Sequence, residues 1–267
     1  MFKGYKLSKV DFDENFSHFK NVGQTIFNQQ KRTVKKTLDE FFLSDKSLDA
    51  SKIVNSWFPE IHANVFISHS HKDEDEVIAL AGWLNEKFNI ISFIDSCVWG
   101  YGNDLIQILD NQYSWMDEKN KIYYYNKVLV STSHVHMMLS TALNTMIDKT
   151  ECLIFYDTPN SIQSFENKDK TESPWIYSEI AFSETVRMNL PARLRSTITE
   201  TRTFSSEGKL EVLEKGLKVK YDANTKHLKD IDTEHLVEWY NSGKFTKAED
   251  ALDKLYEITF PINEIIN

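Results

Sequence analysis

Two short stretches carry residue types that can act on a ligand. The first is Ser68-His-Ser-His-Lys-Asp-Glu-Asp75, directly after the apolar run Val65, Phe66 and Ile67. Hydroxyls, imidazoles and backbone N–H groups gathered ahead of a helix can bind an anionic group. The second is Ser173-Pro-Trp-Ile-Tyr-Ser-Glu179, which runs on to Val186. On a helix, Trp175, Glu179, Phe182 and Val186 fall at i, i+4, i+7 and i+11, so one face carries a carboxylate among apolar neighbours. A glutamate placed there costs free energy unless it is paired or reaches water. Such acids are candidates for catalysis; the alternative is a boundary side chain that reaches solvent. For the first stretch the alternative is a plain polar connection that caps a helix.

The elements that must position these stretches follow from periodicity. Val65, Phe66 and Ile67 read as a buried strand. Val77, Leu80, Ala81, Leu84 and Phe88 recur with helical spacing, and Asp73, Glu74, Asp75 and Glu76 crowd the first turn, where the helix dipole favours acids. Residues 90–96 form a second apolar strand. Strand, helix and strand in this order predict a βαβ unit and a parallel sheet. Ligands of such sheets bind beyond the carboxyl ends of the strands, where Ser68-His-Ser-His71 and Asp95 both fall. Residues 151–159 predict a third strand, residues 160–172 a polar loop, and Ser173-Pro174 a helix start with serine as N-cap.

Elsewhere the reading is coarser. Trp99-Gly-Tyr-Gly102 breaks regularity, and Thr132 or Ser133 is placed to cap a helix carrying Val135, Met138, Leu139, Ala142 and Met146. Residues 1–62 read as a helical N-terminal extension, with Phe16, Phe19, Gly23, Ile26 and Phe27 on one face. Residues 194–222 are β-like. The box Thr246-Lys-Ala-Glu249 predicts a helix in a C-terminal extension, 223–267.

Composition narrows the function classes. With 41% hydrophobic and 27% charged residues the chain is of ordinary globular type. A net charge of -9 argues against a general nucleic-acid binder, since phosphate contacts need a basic surface. The two cysteines, Cys97 and Cys152, make neither a disulfide framework nor a four-ligand zinc site and fit a reducing cytoplasm. The first residues lack the apolar core of a signal peptide, and no window approaches the apolar length of a membrane span. His134-Val-His136 lie on different faces of a helix, and no acid or cysteine set completes a metal site with them. No Walker loop or glycine-rich dinucleotide fingerprint is present.

Taken together, Val-Phe-Ile-Ser-His-Ser-His-Lys-Asp-Glu-Asp75, the following helix, Phe93-Ile-Asp95, the Trp/Gly stretch, an apolar strand and Ser173-x-Trp175-x-x-x-Glu179 resemble a TIR (Toll/interleukin-1 receptor) domain of the bacterial type. The resemblance spans about residues 63–190 and reaches 222 with the last strands. It leaves residues 110–131 as an insertion and residues 96–104 as the counterpart of the family's mobile BB loop. It implies a flavodoxin-like α/β fold, a parallel sheet flanked by helices. It also implies cleavage of the nicotinamide–ribose bond of NAD, to ADP-ribose or a cyclic or conjugated signal, in antiphage defence of the Thoeris kind. NAD is then a substrate, and no cofactor is implied.

Carried over position by position, Glu179 is the catalytic acid of that motif, stabilising charge that develops on the ribose. The substrate-binding residues are Phe66, Ser68, His69, Ser70, Asp95, Trp99 and Trp175. The implied partners are further copies of the chain through TIR surfaces and, through a nucleotide messenger, an effector protein; no nucleic acid or membrane partner is expected. The competing class is a non-catalytic TIR adaptor, which predicts a degraded glutamate motif where this sequence has an intact one, or a nucleotide sensor without turnover.

Overall fold

The structure is a computed structural model and describes all 267 residues except 11, 31–37, 95, 166–167, 195–218 and 261–267. In chain order its elements begin with β1 (Lys3–Ser8), α1 (Phe16–Gln30) and α2 (Ala50–Trp57). The central part holds β2 (Val65–Ser68), α3 (Glu74–Phe88), β3 (Ser92–Ile94), α4 (Ser96–Tyr113), β4 (Trp115–Asp117), β5 (Ile122–Tyr123) and α5 (Tyr125–Lys149). Then come β6 (Cys152–Asp157), β7 (Gln163–Phe165), β8 (Lys168–Thr171), α6 (Pro174–Thr185), β9 (Tyr221–Asp222), β10 (Lys229–Ile231), α7 (Thr233–Asn241) and α8 (Ala248–Thr259).

The core is a five-stranded sheet in the order β3-β2-β6-β1-β10, with every neighbouring pair parallel. All of β2 and β3, and β6 up to its last residue, are buried, as continuous apolar strands covered on both faces must be. If β2, β3, β6 and β10 are taken as the first, second, third and fifth strands, this is the flavodoxin-like order 2-1-3-4-5. The fourth place is taken by β1, the first strand of the chain. Its register runs Lys3 opposite Cys152 to Ser8 opposite Asp157.

This placement corrects the reading of residues 1–62 as helical. They open with a strand in which Tyr5 and Leu7 point inward and alternate with Lys6 and Ser8, a six-residue signal hidden beside the longer helical pattern that follows. The sheet therefore crosses the boundaries drawn at 62 and at 223, since β10 also belongs to it. Helix α1 does form, and it crosses α3 with two glycines in contact range. A Cβ on Gly23 would lie 1.8 Å from the Ile78 carbonyl oxygen, and one on Gly82 2.0 Å from that of Phe19.

Other elements also shift. The backbone of Trp99-Gly-Tyr-Gly102 lies inside α4 rather than in a loop. Residues 110–131, expected as an insertion, are the end of α4, the β4–β5 hairpin and the first turns of α5. Helix α5 starts at Tyr125, directly after the β4–β5 hairpin, so the expected caps Thr132 and Ser133 lie inside it. The loop 160–172 carries β7 and β8, which pair with each other, and β8 also pairs with β9 in a small antiparallel sheet. Helix α8 starts after Lys247 without a side-chain cap, so Thr246 does not form the expected box. Within the β-like stretch 194–222, Tyr221–Asp222 is a strand, and residues 195–218 lie outside the described residues. The C-terminal helices dock on α3 through Trp239, whose ring stacks on Phe88 at 3.9 Å while Nε1 donates to the Ala251 carbonyl. Among the described residues no helix is long and apolar enough to cross a membrane.

Candidate active site

Chain connections reverse direction between β2 and β6: β2 leads outward to β3, and the chain then returns to β6 on the other side of β2. In open α/β sheets this switch point opens a crevice beyond the carboxyl ends of the two strands. Ser68 is the last residue of β2 and is opposite Phe155 of β6. Helix α6 follows β6, and its start is fixed by Ser173, whose hydroxyl accepts from the Ile176 N–H at 3.2 Å, with Pro174 in the first turn.

On this helix Glu179 is only 1% exposed. The Ser68 hydroxyl donates to Glu179 Oε2 at 2.6 Å, so the two quoted stretches meet at their polar ends. A hydrogen bond to a carboxylate is among the stronger protein hydrogen bonds, and it offsets part of the cost of burying the group. Trp175 stands one turn nearer the helix start, half-buried, and the imidazole of His136 on α5 meets it edge-on at 5.5 Å.

Above the pair lies a cleft of about 220 Å³, lined by His69, Ser70, His71 and Lys72 from the β2–α3 connection and by Ser173, Trp175 and Ile176 from α6. His69 is buried in its wall. Ser70 is turned back to accept from the Lys72 N–H at 3.4 Å. Ser68 and Glu179 are not among its lining residues.

One wall, the β2–α3 connection, is anchored by Asp73, a residue that periodicity assigns to the first turn of α3. The structure shows it instead at the end of a single 3-10 turn, His71–Asp73, and buried. It accepts from Thr158 Oγ1 at 2.5 Å and from Asn160 Nδ2 at 2.6 Å, joining the loop after β2 to the loop after β6. Nearby, Glu76 accepts from the Tyr156 hydroxyl at 2.9 Å, and burial first and then this carboxylate push that phenol upward. Asp157, at the end of β6, is also held above the usual carboxylate range, by burial first and then by Asp169 and Asp230, against the opposing pull of Lys6.

The structure thus gathers Ser68, His69, Ser70, Trp175 and Glu179 at one place. Phe66 lies in the core, its ring 5.2 Å from that of Phe93, away from the cleft lining. Asp95 lies outside the described residues, and of Trp99 only the helical backbone is described. The sequence reading missed Lys72 and His71 as lining residues and Asp73 as the tie between the loops after β2 and β6; the tie has no local signal, because its partners lie on another loop. Among the described residues no group of three or more His, Cys, Asp or Glu side chains could hold a metal ion. Such a crevice can bind the end of a polar ligand and present a carboxylate beneath it. No protein-family model matches the chain, and comparisons with curated proteins and with solved structures find no match either.

Proposed function

We propose that this chain is a TIR-type enzyme that cleaves the nicotinamide–ribose bond of NAD. The observation that carries the reading is the Ser68–Glu179 pair, a buried carboxylate held at the carboxyl end of β2 at the switch point of the sheet. Nicotinamide is cationic in NAD and leaves without a proton, so a single carboxylate suffices. Glu179 takes the role of stabilising the positive charge that grows on the ribose as the bond breaks. Ser68 fixes the carboxylate's rotamer, and Trp175 walls the ring of the leaving group. Lys72 and the N–H groups ahead of α3 face the pyrophosphate.

The cleft, at about 220 Å³, is smaller than the roughly 300–1,000 Å³ of sites that enclose a whole drug-sized ligand. It suits the nicotinamide riboside end, with the adenylate end lying outside, and the first turn of α6 must yield for Glu179 to reach the ribose. Assembly of several copies, which TIR surfaces support, is a natural source of that movement. The product is ADP-ribose or a cyclic or conjugated form of it, acting on an effector protein in antiphage defence. The setting is the cytoplasm, where NAD is available and the buried Cys152 stays a thiol.

One observation favours a second reading. Glu179 is covered completely enough to serve only as a tie between α6 and the sheet, in a non-catalytic adaptor or sensor. Concentrated protein incubated with NAD, wild type beside Glu179→Gln, separates the two. Nicotinamide release by the wild type alone supports the enzyme, and the mass of the second product gives the reaction class. Equal release by both proteins removes Glu179 from the mechanism, and no release by either, with or without crowding agents, leaves the adaptor.

A further inference from the structure

A larger cleft lies on the other side of α5. It has a volume of about 810 Å³, within the range of about 300–1,000 Å³ that encloses a small organic ligand. Its walls come from α2 and the turn before it, from the end of α4 and from the first half of α5. Leu48, Ile53, Leu109, Val130 and Met138 make those walls apolar.

The polar groups on the cleft are unevenly distributed. Lys46 and Lys127 stand exposed at its rim, and among the described residues neither has a carboxylate within ion-pair distance; Lys127 lies 5.3 Å over the Tyr124 ring. Lys46 holds φ +69°, the left-handed region that a non-glycine residue enters at a cost, in a turn closed by its N–H donating to the Leu43 carbonyl. On the inner side, the Ser114 hydroxyl donates to the buried Asp110 at 2.8 Å, and the Ser131 proton is taken up among Asp110 and the Lys127 and Val128 carbonyls of its own helix. Their oxygens can therefore only accept on the cleft side, so an anion is repelled from the floor and welcomed at the rim.

We propose that this cleft binds a small, freely dissolved amphiphilic anion, with an acyl or aromatic body against the apolar walls and a carboxylate or phosphate at Lys46 and Lys127. Charge complementarity and volume select this occupant over a second protein, because the rim cations lack protein counter-charges and the walls enclose a volume rather than presenting a flat face. The site is independent of the NAD reading. It is also one helix away from the first cleft: His134 and Met138 line it, and His136 between them touches Trp175.

Calorimetric titration of the full chain with decanoate and with naphthalene-2-carboxylate, beside decyltrimethylammonium as the charge-reversed probe, tests the proposal. At least one anion is expected to bind saturably, and the cation is not. Lys46→Glu with Lys127→Glu is expected to weaken anion binding by about tenfold or more, and Val130→Trp, which fills the cleft, to abolish it. Circular dichroism melts establish that the variants are folded, and the milder Lys127→Gln serves if the double variant is not. Absence of binding by both anions, equal binding of the cation, or binding that survives Val130→Trp overturns the proposal. So does sedimentation with phosphatidylglycerol vesicles in preference to free anion, which would make the occupant a membrane surface. A dimer dissolved by Val130→Glu would make it a second copy.

Discussion

Ser68 and Glu179, 111 positions apart, are joined by a 2.6 Å hydrogen bond in a part of the molecule where both are almost fully buried. The bond links the end of a central strand to the helix that follows the neighbouring strand, so it is structural and polar at once. Ser68→Ala leaves a buried carboxylate without this donor, and loss of a buried hydrogen bond of this kind costs about 1–3 kcal/mol. A drop in melting temperature of roughly 2–4 °C per kcal/mol follows for a chain of this size. If Glu179 acts on NAD, the same variant also lowers kcat, and Ser68→Thr restores part of it. Nicotinamide release and thermal melts on the same samples separate the two effects; an unchanged melting temperature would show that the bond contributes nothing to the fold.

Asp73 predicts a different pattern. It ties the β2–α3 connection, one wall of the cleft, to the loop after β6 through Thr158 and Asn160, without lining the cleft itself. Asp73→Ala strands two donors; the buried Thr158 hydroxyl costs about 1–3 kcal/mol if left unmet, while the exposed Asn160 can turn to water. With that wall no longer anchored, the expected kinetic signature is a raised KM for NAD with kcat less affected. A loss confined to kcat would place Asp73 in the chemistry instead.

Both stretches of the candidate site were legible in the sequence because their signals are local. Val65 to Ile67 is an apolar run, Ser173-Pro174 is a helix start, and Glu179 breaks an apolar face. All three stand where periodicity puts them. What the sequence hid is non-local. Asp73 looks like one more acid in a helix's first turn until Thr158 and Asn160 fold over it. Trp99-Gly-Tyr-Gly102 looks like a breaker, yet the glycines lie inside α4, and a Cβ on Gly102 would meet Leu139 of α5 at 3.4 Å. The packing of α4 against α5, invisible in a local window, outweighs propensity there. Likewise Lys3–Ser8 is too short to outvote the helical pattern after it, and only its partner strand β6 makes it central.

The crossing of α1 and α3 tolerates no side chain at two positions. Gly82→Ala would set a methyl group 2.0 Å from the Phe19 carbonyl oxygen, a contact with backbone that only a shift of the helices relieves. Such overpacking costs typically about 1–3 kcal/mol, enough to outweigh the better helix propensity of alanine, about 1 kcal/mol. A chemical-denaturation midpoint that rises in Gly82→Ala would show that the helices separate freely.

His227 gives a pH dependence of known sign. Its imidazole shares a 2.8 Å hydrogen bond with the Ser183 hydroxyl on α6, and burial holds it below the ordinary 6.5. The unfolded chain therefore binds the proton more readily than the folded one, so stability rises with pH across this window. The contribution is complete above 6.5 and is lost as pH falls through the lower folded-state value. Melts between neutral and mildly acid pH are expected to show a loss in the wild type that is smaller in His227→Gln. Equal slopes in the two proteins would remove His227 as the cause.

The placement of β1 makes the strongest prediction about the fold. A fragment of residues 63–222 holds every residue of the candidate site, yet it lacks β1 and β10. In the full chain β6 is paired on both sides, by β2 and by β1. In the fragment its far side becomes an unpaired edge of buried apolar residues, Cys152 to Tyr156, a surface prone to aggregation. The loss extends beyond the backbone pairing. Tyr5 and Leu7 leave the core, and with α8 goes Tyr256, which stacks on Tyr5 and receives the edge of Phe2. Removing several large buried side chains at about 3–5 kcal/mol each exceeds the whole stability of an ordinary domain. The fragment is therefore expected to aggregate or to lack a cooperative melt, and a full chain missing only residues 1–9 is expected to behave the same way. A soluble fragment that melts cooperatively at the temperature of the full chain would show that β1 is an accessory strand and that the site stands on three strands alone.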